Sequence, residues 1–244
     1  MLDPFQKNFP NMLWRLAKIL SAYGKHPLQI NVLLVLTLFS VLFDMSAKAQ
    51  THDIQILALG NSLIAGYGLS KSEAFPSRLS AALHKNGIPT KIVNAGVSGD
   101  TTSGALQRLD WLLDRPFKLA IIELGANDAL RAVPPDITRR NLEMIILKLK
   151  ATGARVLLAG MKAPRNLGPD FAREFDPIFP ELAKSLDLHF YPFFLDGVAA
   201  EPTLNQEDGM HPNSKGIEII VKRILPFVCL SYTSPSPRDS HRYA

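Results

Sequence analysis

The sequence predicts an α/β fold on a mainly parallel sheet. Three observations carry this reading. From residue 53 onward, short apolar runs alternate with helix-length amphipathic stretches; the runs are rich in branched residues; and neither an internal repeat nor an interdomain linker breaks the alternation. Strands covered on both faces read as continuous apolar runs rather than as alternating ones.

Residues 53–59 (DIQILAL) read as a buried strand, and residues 75–86 as a helix closed by Gly87. Residues 91–93 form a short strand and residues 105–113 a helix. Residues 119–124 (LAIIEL) are a strand. Residues 135–152 are a long helix with Pro in its first turn and Gly153 at its end. Residues 155–159 are a strand, 171–186 a helix, 189–191 a short strand and 214–226 a final helix. At 244 residues the chain suffices for one such domain with terminal extras. Residues 50–228 are assigned to that single domain.

The two ends read differently. Residues 30–43 (INVLLVLTLFSVLF) are almost wholly apolar, follow Lys18 and Lys25, and precede Ala47-Lys48-Ala49. This is the pattern of a signal peptide over residues 1–49, cleaved after Ala49, with Met12 as an alternative start. The apolar run falls short of the roughly 20 residues that span a bilayer, so no stable membrane association is expected after cleavage. The stretch from Cys229 to Asp239 (CLSYTSPSPRD) lacks hydrophobic periodicity and resembles the translation of a transposase adapter used in DNA library preparation. Residues 229–244 are therefore expected to be a non-native tail.

The formal charge of +5 resides mostly at these ends. Five Lys/Arg against two Asp precede residue 50, and two Arg against one Asp follow residue 228, which leaves about +1 for the domain. That gives no electrostatic case for nucleic acid. Cys229 stands alone, so no intramolecular disulfide can form. HExxH and CxxC spacings are absent from the sequence, and VSGDTT lacks the Gly-Lys-Ser/Thr ending of a phosphate loop. No metal is expected.

Polar residues follow the strands in a regular way. The first strand runs into Gly60-Asn61-Ser62-Leu63, the second into Val97-Ser98-Gly99-Asp100-Thr101, and the third into Gly125-Ala126-Asn127-Asp128. The last loop holds Asp208-Gly209-Met210-His211-Pro212. In a parallel sheet these groups share the carboxyl rim, where ligands bind. The chemistry that fits is acyl transfer. A serine hydroxyl needs an imidazole to take its proton, and the imidazole needs a carboxylate to fix its tautomer. Ser62, His211 and Asp208 supply these groups, the last two from one tight loop. The available donors for an oxyanion are the backbone N–H of Ser62, the N–H of Gly99 and the side-chain amide of Asn127. Taken singly each residue has an ordinary alternative: Ser62 and Asn127 as turn residues, Asp208 as a loop carboxylate. Neither His84 nor His189 has a partner comparable to that of His211.

Together and in this order, GNSL, VSGDT, GAND and DGMH resemble the four sequence blocks of the SGNH/GDSL hydrolases, over roughly residues 53–227. The resemblance implies Ser62, His211 and Asp208 as the triad, and Ser62, Gly99 and Asn127 as the oxyanion hole. It also implies a three-layer α/β/α sandwich with a five-stranded parallel sheet, and no cofactor. ELGANDALR, FPELAK and YPFFLDGVA are similar to the bacterial arylesterase, acyl-CoA thioesterase I and lysophospholipase branch, which implies periplasmic or secreted location. One residue departs from the pattern: the family's Asp before the serine is Asn61 here, of similar size but with added donors and no charge.

The expected substrates are short-to-medium acyl esters and thioesters. Lysophospholipids or carbohydrate esters are the alternative on the same scaffold, and a non-catalytic binding module is a third reading. The loops over residues 129–135 and 161–169 flank the rim, and Leu130, Val133, Met161 and Leu167 in them either line an acyl pocket or pack onto the core.

Overall fold

The computed structural model of the protein describes residues 53–233; the export segment expected over residues 1–49 and residues 234–244 of the expected tail lie outside the described residues. One sheet is built from five parallel strands: β1 (Ile54–Gly60), β2 (Thr90–Gly96), β3 (Leu119–Glu123), β4 (Arg155–Ala159) and β5 (His189–Tyr191). Their order is β2-β1-β3-β4-β5. Every residue of β3 is buried, as expected of a central strand covered on both faces.

The helices are α1 (Ser62–Ala65), α2 (Phe75–Lys85), α3 (Thr102–Arg108), α4 (Ala126–Leu130), α5 (Pro135–Ala151), α6 (Gly168–Phe175), α7 (Ile178–Ser185) and α8 (Ser214–Thr233). One layer pairs α2 with α8, with α2 lying on β2 and α8 on β4 and β5; the other sets α5 against α3, α7 and β4. The burial follows helical periodicity. Leu142, Ile145, Ile146 and Leu149 of α5, and Ile217, Ile220, Val221, Ile224 and Val228 of α8, turn one stripe each to the core. None of the described helices is long and apolar enough to cross a membrane. The chain passes from β1 to β2 on one side and then returns to β3 on the other. This places a switch point beyond the carboxyl ends of β1 and β3, where sheets of this order open a crevice.

Four of the expected elements differ from the sequence reading by more than one residue at a boundary. β2 extends to Gly96, because each residue from Thr90 finds a partner on β1 and pairing outweighs the weak strand preference of Asn94 and Gly96. The helix expected over residues 105–113 starts at Thr102, capped by Thr101 Oγ1, which accepts the Gly104 N–H at 3.3 Å, and passes into a 3₁₀ turn over Leu109–Leu112. The helix expected over residues 171–186 is two helices. Pro177 has no N–H to donate, and its ring would collide with the Arg173 carbonyl of a continued helix.

The last difference lies at the carboxyl end. Helix α8 continues through Pro226 to Thr233, so Cys229–Thr233, assigned to the tail by sequence, belong to it. Inward-facing positions recur past the proline at Val228 and Ser231. The Ser231 hydroxyl donates to the Phe227 carbonyl at 2.7 Å, and its own carbonyl accepts from Arg155 Nη1 at 3.0 Å.

The central strand sets the expected stability pattern. Ile121→Ala should lower the unfolding free energy by about 3 kcal/mol, whereas Met144→Ala, on an exposed face of α5, should change it by under about 0.5 kcal/mol. Urea denaturation of both variants measures the contrast.

Candidate active site

Strand register brings the candidate residues to one place. Gly60 pairs with Gly96 on one side and with Glu123 on the other. The loops carrying Ser62, Gly99 and Asn127 therefore leave the sheet from one row, two, three and four residues after it. The row is tightly packed. A Cβ on Gly60 would lie 2.3 Å from Ile64 Cγ1, and one on Gly96 would lie 2.2 Å from the Ala65 backbone nitrogen. Helix α1 folds directly over the strand ends, and only glycine leaves room for it.

Ser62 is the first residue of α1, and half-buried. Its Oγ lies 2.9 Å from His211 Nε2, and His211 Nδ1 lies 2.6 Å from Asp208 Oδ2. Asp208 Oδ1 also accepts the backbone N–H groups of Met210 and His211, each at 2.9 Å. The His211 backbone N–H, the imidazole and the Met210 N–H together hold the Asp208 carboxyl down at about 2. An ionised carboxylate accepts only, so Nδ1 carries the proton and Nε2 is left as the acceptor facing the serine hydroxyl. Such an alignment can draw the hydroxyl proton onto Nε2 and stabilise the imidazolium that results.

The loop presenting Asp208 and His211 is clasped at its base. Asn205 bridges Pro212, and the Gln206 N–H donates to the His211 carbonyl at 2.7 Å. Gln206 Nε2 donates to the Pro212 carbonyl at 3.0 Å and to the Tyr67 carbonyl at 2.7 Å, tying the loop to the segment after α1. Tyr67 stands over the histidine, with ring centroids 4.6 Å apart, and is itself half exposed.

The other side of the site is held by separate bonds. One hydrogen of the Asn127 amide goes to the Asp100 carbonyl at 2.9 Å, leaving the second for a ligand. Arg131 Nη2 donates to the Gly99 carbonyl at 2.8 Å, which fixes this glycine at its positive φ of 81°. Being first in α1, the Ser62 N–H has no intrahelical acceptor. Arg108 binds Asp100 at 2.8 Å and reaches the Ala95 carbonyl at 2.8 Å, which braces the end of β2. Asp128, buried beside Asn127, accepts the Thr102 N–H at 2.9 Å and also the Thr102 hydroxyl.

The proposed acyl residues divide. Leu130 is exposed and Val133 half-buried, whereas Met161, only 5% exposed, is a core residue and Leu167 packs against the core. Three exposed apolar or aromatic side chains that sequence reasoning missed flank the motif residues: Tyr67, Val97 and Met210. A fourth omission is Glu123. It is fully buried at the end of β3, where Oε1 accepts Asn61 Nδ2 at 2.9 Å and Oε2 faces the Asn61 N–H at 3.4 Å. The signal in the sequence is a lone carboxyl within an otherwise apolar strand.

Comparison with known proteins identifies the family. Residues 58–219 match the GDSL-like Lipase/Acylhydrolase family, a span that includes Ser62, Gly99, Asn127, Asp208 and His211. The chain is similar to an arylesterase of Vibrio mimicus, with 40% identity over 181 residues, 74% of this chain and 88% of that one. It is also similar to thioesterase 1/protease 1/lysophospholipase L1 of Escherichia coli strain K12, with 39% identity over 196 residues, 78% and 91% of the two chains. Among solved structures, AlinE4, an SGNH-hydrolase family esterase, superposes with a TM-score of 0.64 at 44% identity, covering 76% of this chain and all of that one. Matched in fold and over most of its length, this chain belongs to the GDSL-like lipase/acylhydrolase family and is a hydrolase of the SGNH type.

Proposed function

We propose that the protein is an exported serine esterase that cleaves short-to-medium acyl esters and thioesters through Ser62, His211 and Asp208. The reading rests on one observation, the unbroken hydrogen-bond path from Ser62 Oγ through His211 to the Asp208 carboxylate. Ser62 Oγ attacks the acyl carbonyl carbon as His211 Nε2 takes its proton. The carbonyl oxygen becomes an oxyanion, which the N–H groups of Ser62 and Gly99 and the Asn127 amide receive. Collapse breaks the bond to the leaving alcohol or thiol, to which His211 returns the proton. Water then repeats the sequence on the acyl-enzyme and releases the carboxylic acid and Ser62. No step calls for a metal or cofactor.

The rim supports this substrate class. Tyr67 beside His211 offers an aromatic surface on the side from which a leaving group departs, and Val97 and Leu130 offer apolar contact near the Gly99 and Asn127 donors. These groups suit an acyl chain and an aryl or alkyl leaving group better than a sugar ring. The arylesterase and thioesterase names of the relatives agree with this reading. The apolar run before Ala49 in the sequence supports export to the periplasm or outside the cell.

Ser62→Ala should abolish hydrolysis of short p-nitrophenyl esters with no change in melting temperature, and comparable turnover by that variant would overturn the mechanism. Asn127→Ala should lower kcat by roughly 10²–10³-fold with little effect on KM, as the loss of one oxyanion donor does. Across a panel of esters sharing one acyl group and differing in the leaving alcohol, Tyr67→Ala should raise KM for aryl esters more than for alkyl esters. Equal changes would remove Tyr67 from the leaving-group site.

A further inference from the structure

We propose that Glu123 is a positioning residue for the nucleophile, acting through Asn61 on the turn that carries Ser62. This rests on Ser62 being the nucleophile. The bond to Glu123 orients the Asn61 side chain. Nδ2 turns to Glu123 Oε1 at 2.9 Å, and Oδ1 turns the other way. There Oδ1 accepts the Leu63 N–H at 2.9 Å, capping α1, and stands 3.4 Å from Ser62 Oγ. The Asn61 backbone N–H points to Glu123 Oε2, which fixes the chain one residue before the nucleophile. Gly60 permits this contact, since a Cβ there would lie 2.8 Å from Glu123 Oε2.

The pair is matched in hydrogen-bond polarity. Asn61 supplies donors, and Glu123 supplies acceptors. An Asp at position 61, the common residue of the GDSL block, would set two carboxyls against each other in a dry site, and they would need a shared proton. In this chain the Asn61 side chain and backbone N–H both turn their hydrogens to the Glu123 carboxyl. Burial pushes the Glu123 carboxyl up from 4.5 to about 8, against the two bonds from Asn61. No ion pair to Glu123 occurs among the described residues; Arg108, which reaches the neighbouring Gly60 carbonyl at 3.3 Å, is paired with Asp100.

The test is a polarity swap, read by kcat, KM and melting temperature on a p-nitrophenyl ester. Where Glu123 is ionised, above about pH 8, Glu123→Gln replaces an acceptor with an amide donor facing the donors of Asn61, and should lower kcat about tenfold with KM nearly unchanged. Asn61→Asp should lower kcat increasingly as pH rises and the shared proton is lost. The double variant N61D/E123Q restores donor to acceptor with the roles exchanged, and should recover kcat to within about threefold of the parent. Failure of the double variant to recover, or kcat unchanged in both single variants, overturns the proposal. So does a loss confined to melting temperature.

A second readout follows from linkage. A carboxyl raised on folding contributes stability that is complete below its unfolded value and is lost as pH climbs through its folded value. Glu123→Gln should therefore flatten the pH dependence of melting between about 4.5 and about 8. An unchanged slope overturns the burial argument. Ser62→Ala, assayed alongside, separates this proposal from the one beneath it. Residual turnover there removes the nucleophile itself, whereas an inert Ser62→Ala with a normal Glu123→Gln removes only the role of Glu123.

Discussion

The register of β1 against its two neighbours is the constraint on which the site depends. With Gly60 opposite both Gly96 and Glu123, three loops distant in sequence begin within one row of the sheet. Their functional atoms then need only two to four residues of reach. The crowding this creates is relieved by two glycines, whose missing side chains let α1 lie across the strand ends. The side of the site carrying Ser62, Gly99 and Asn127 inherits its rigidity from the central strands, whereas Asp208 and His211 rest on their own loop.

Two carboxyls near the serine have opposite environments. Asp208 stands at the surface with three donors on it, and its charge is stabilised to well below the usual carboxylate range. Glu123 is enclosed, meets only the amide of its neighbour, and is held toward its neutral form. One can stabilise an imidazolium because it keeps its charge, while the other can sit beneath the proposed nucleophile because it need not carry one. The division follows from solvent access and hydrogen-bond count rather than from residue type.

Much of this is legible in the sequence. Ser62, Gly99 and Asn127 stand out because a parallel sheet gathers all its strand ends on one rim, so motif order alone predicts proximity. Asp208 and His211 stand out because their spacing fits one tight loop. Tyr67, Gln206 and Arg131 are not legible in the same way. Their partners lie far away in sequence or are backbone carbonyls, and no periodicity marks such contacts. Glu123 is a different case, since its charge inside LAIIEL is visible but reads as part of an apolar run. Pro177 and Pro226 show the limits of local rules. The first breaks a helix, whereas the second is carried within one because the inward-facing stripe of α8 continues beyond it.

The clasp at the base of the loop holding Asp208 and His211 has a thermal consequence. The proposed base and the carboxylate that orients it ride on one short segment, fastened by Gln206 and the Asn205–Pro212 bridge rather than by the sheet. If that fastening melts ahead of the core, both partners depart at once and leave an ordinary alcohol on an intact scaffold. Warming would then silence the enzyme reversibly, through a local switch rather than global denaturation, and cooling would restore the full rate without refolding.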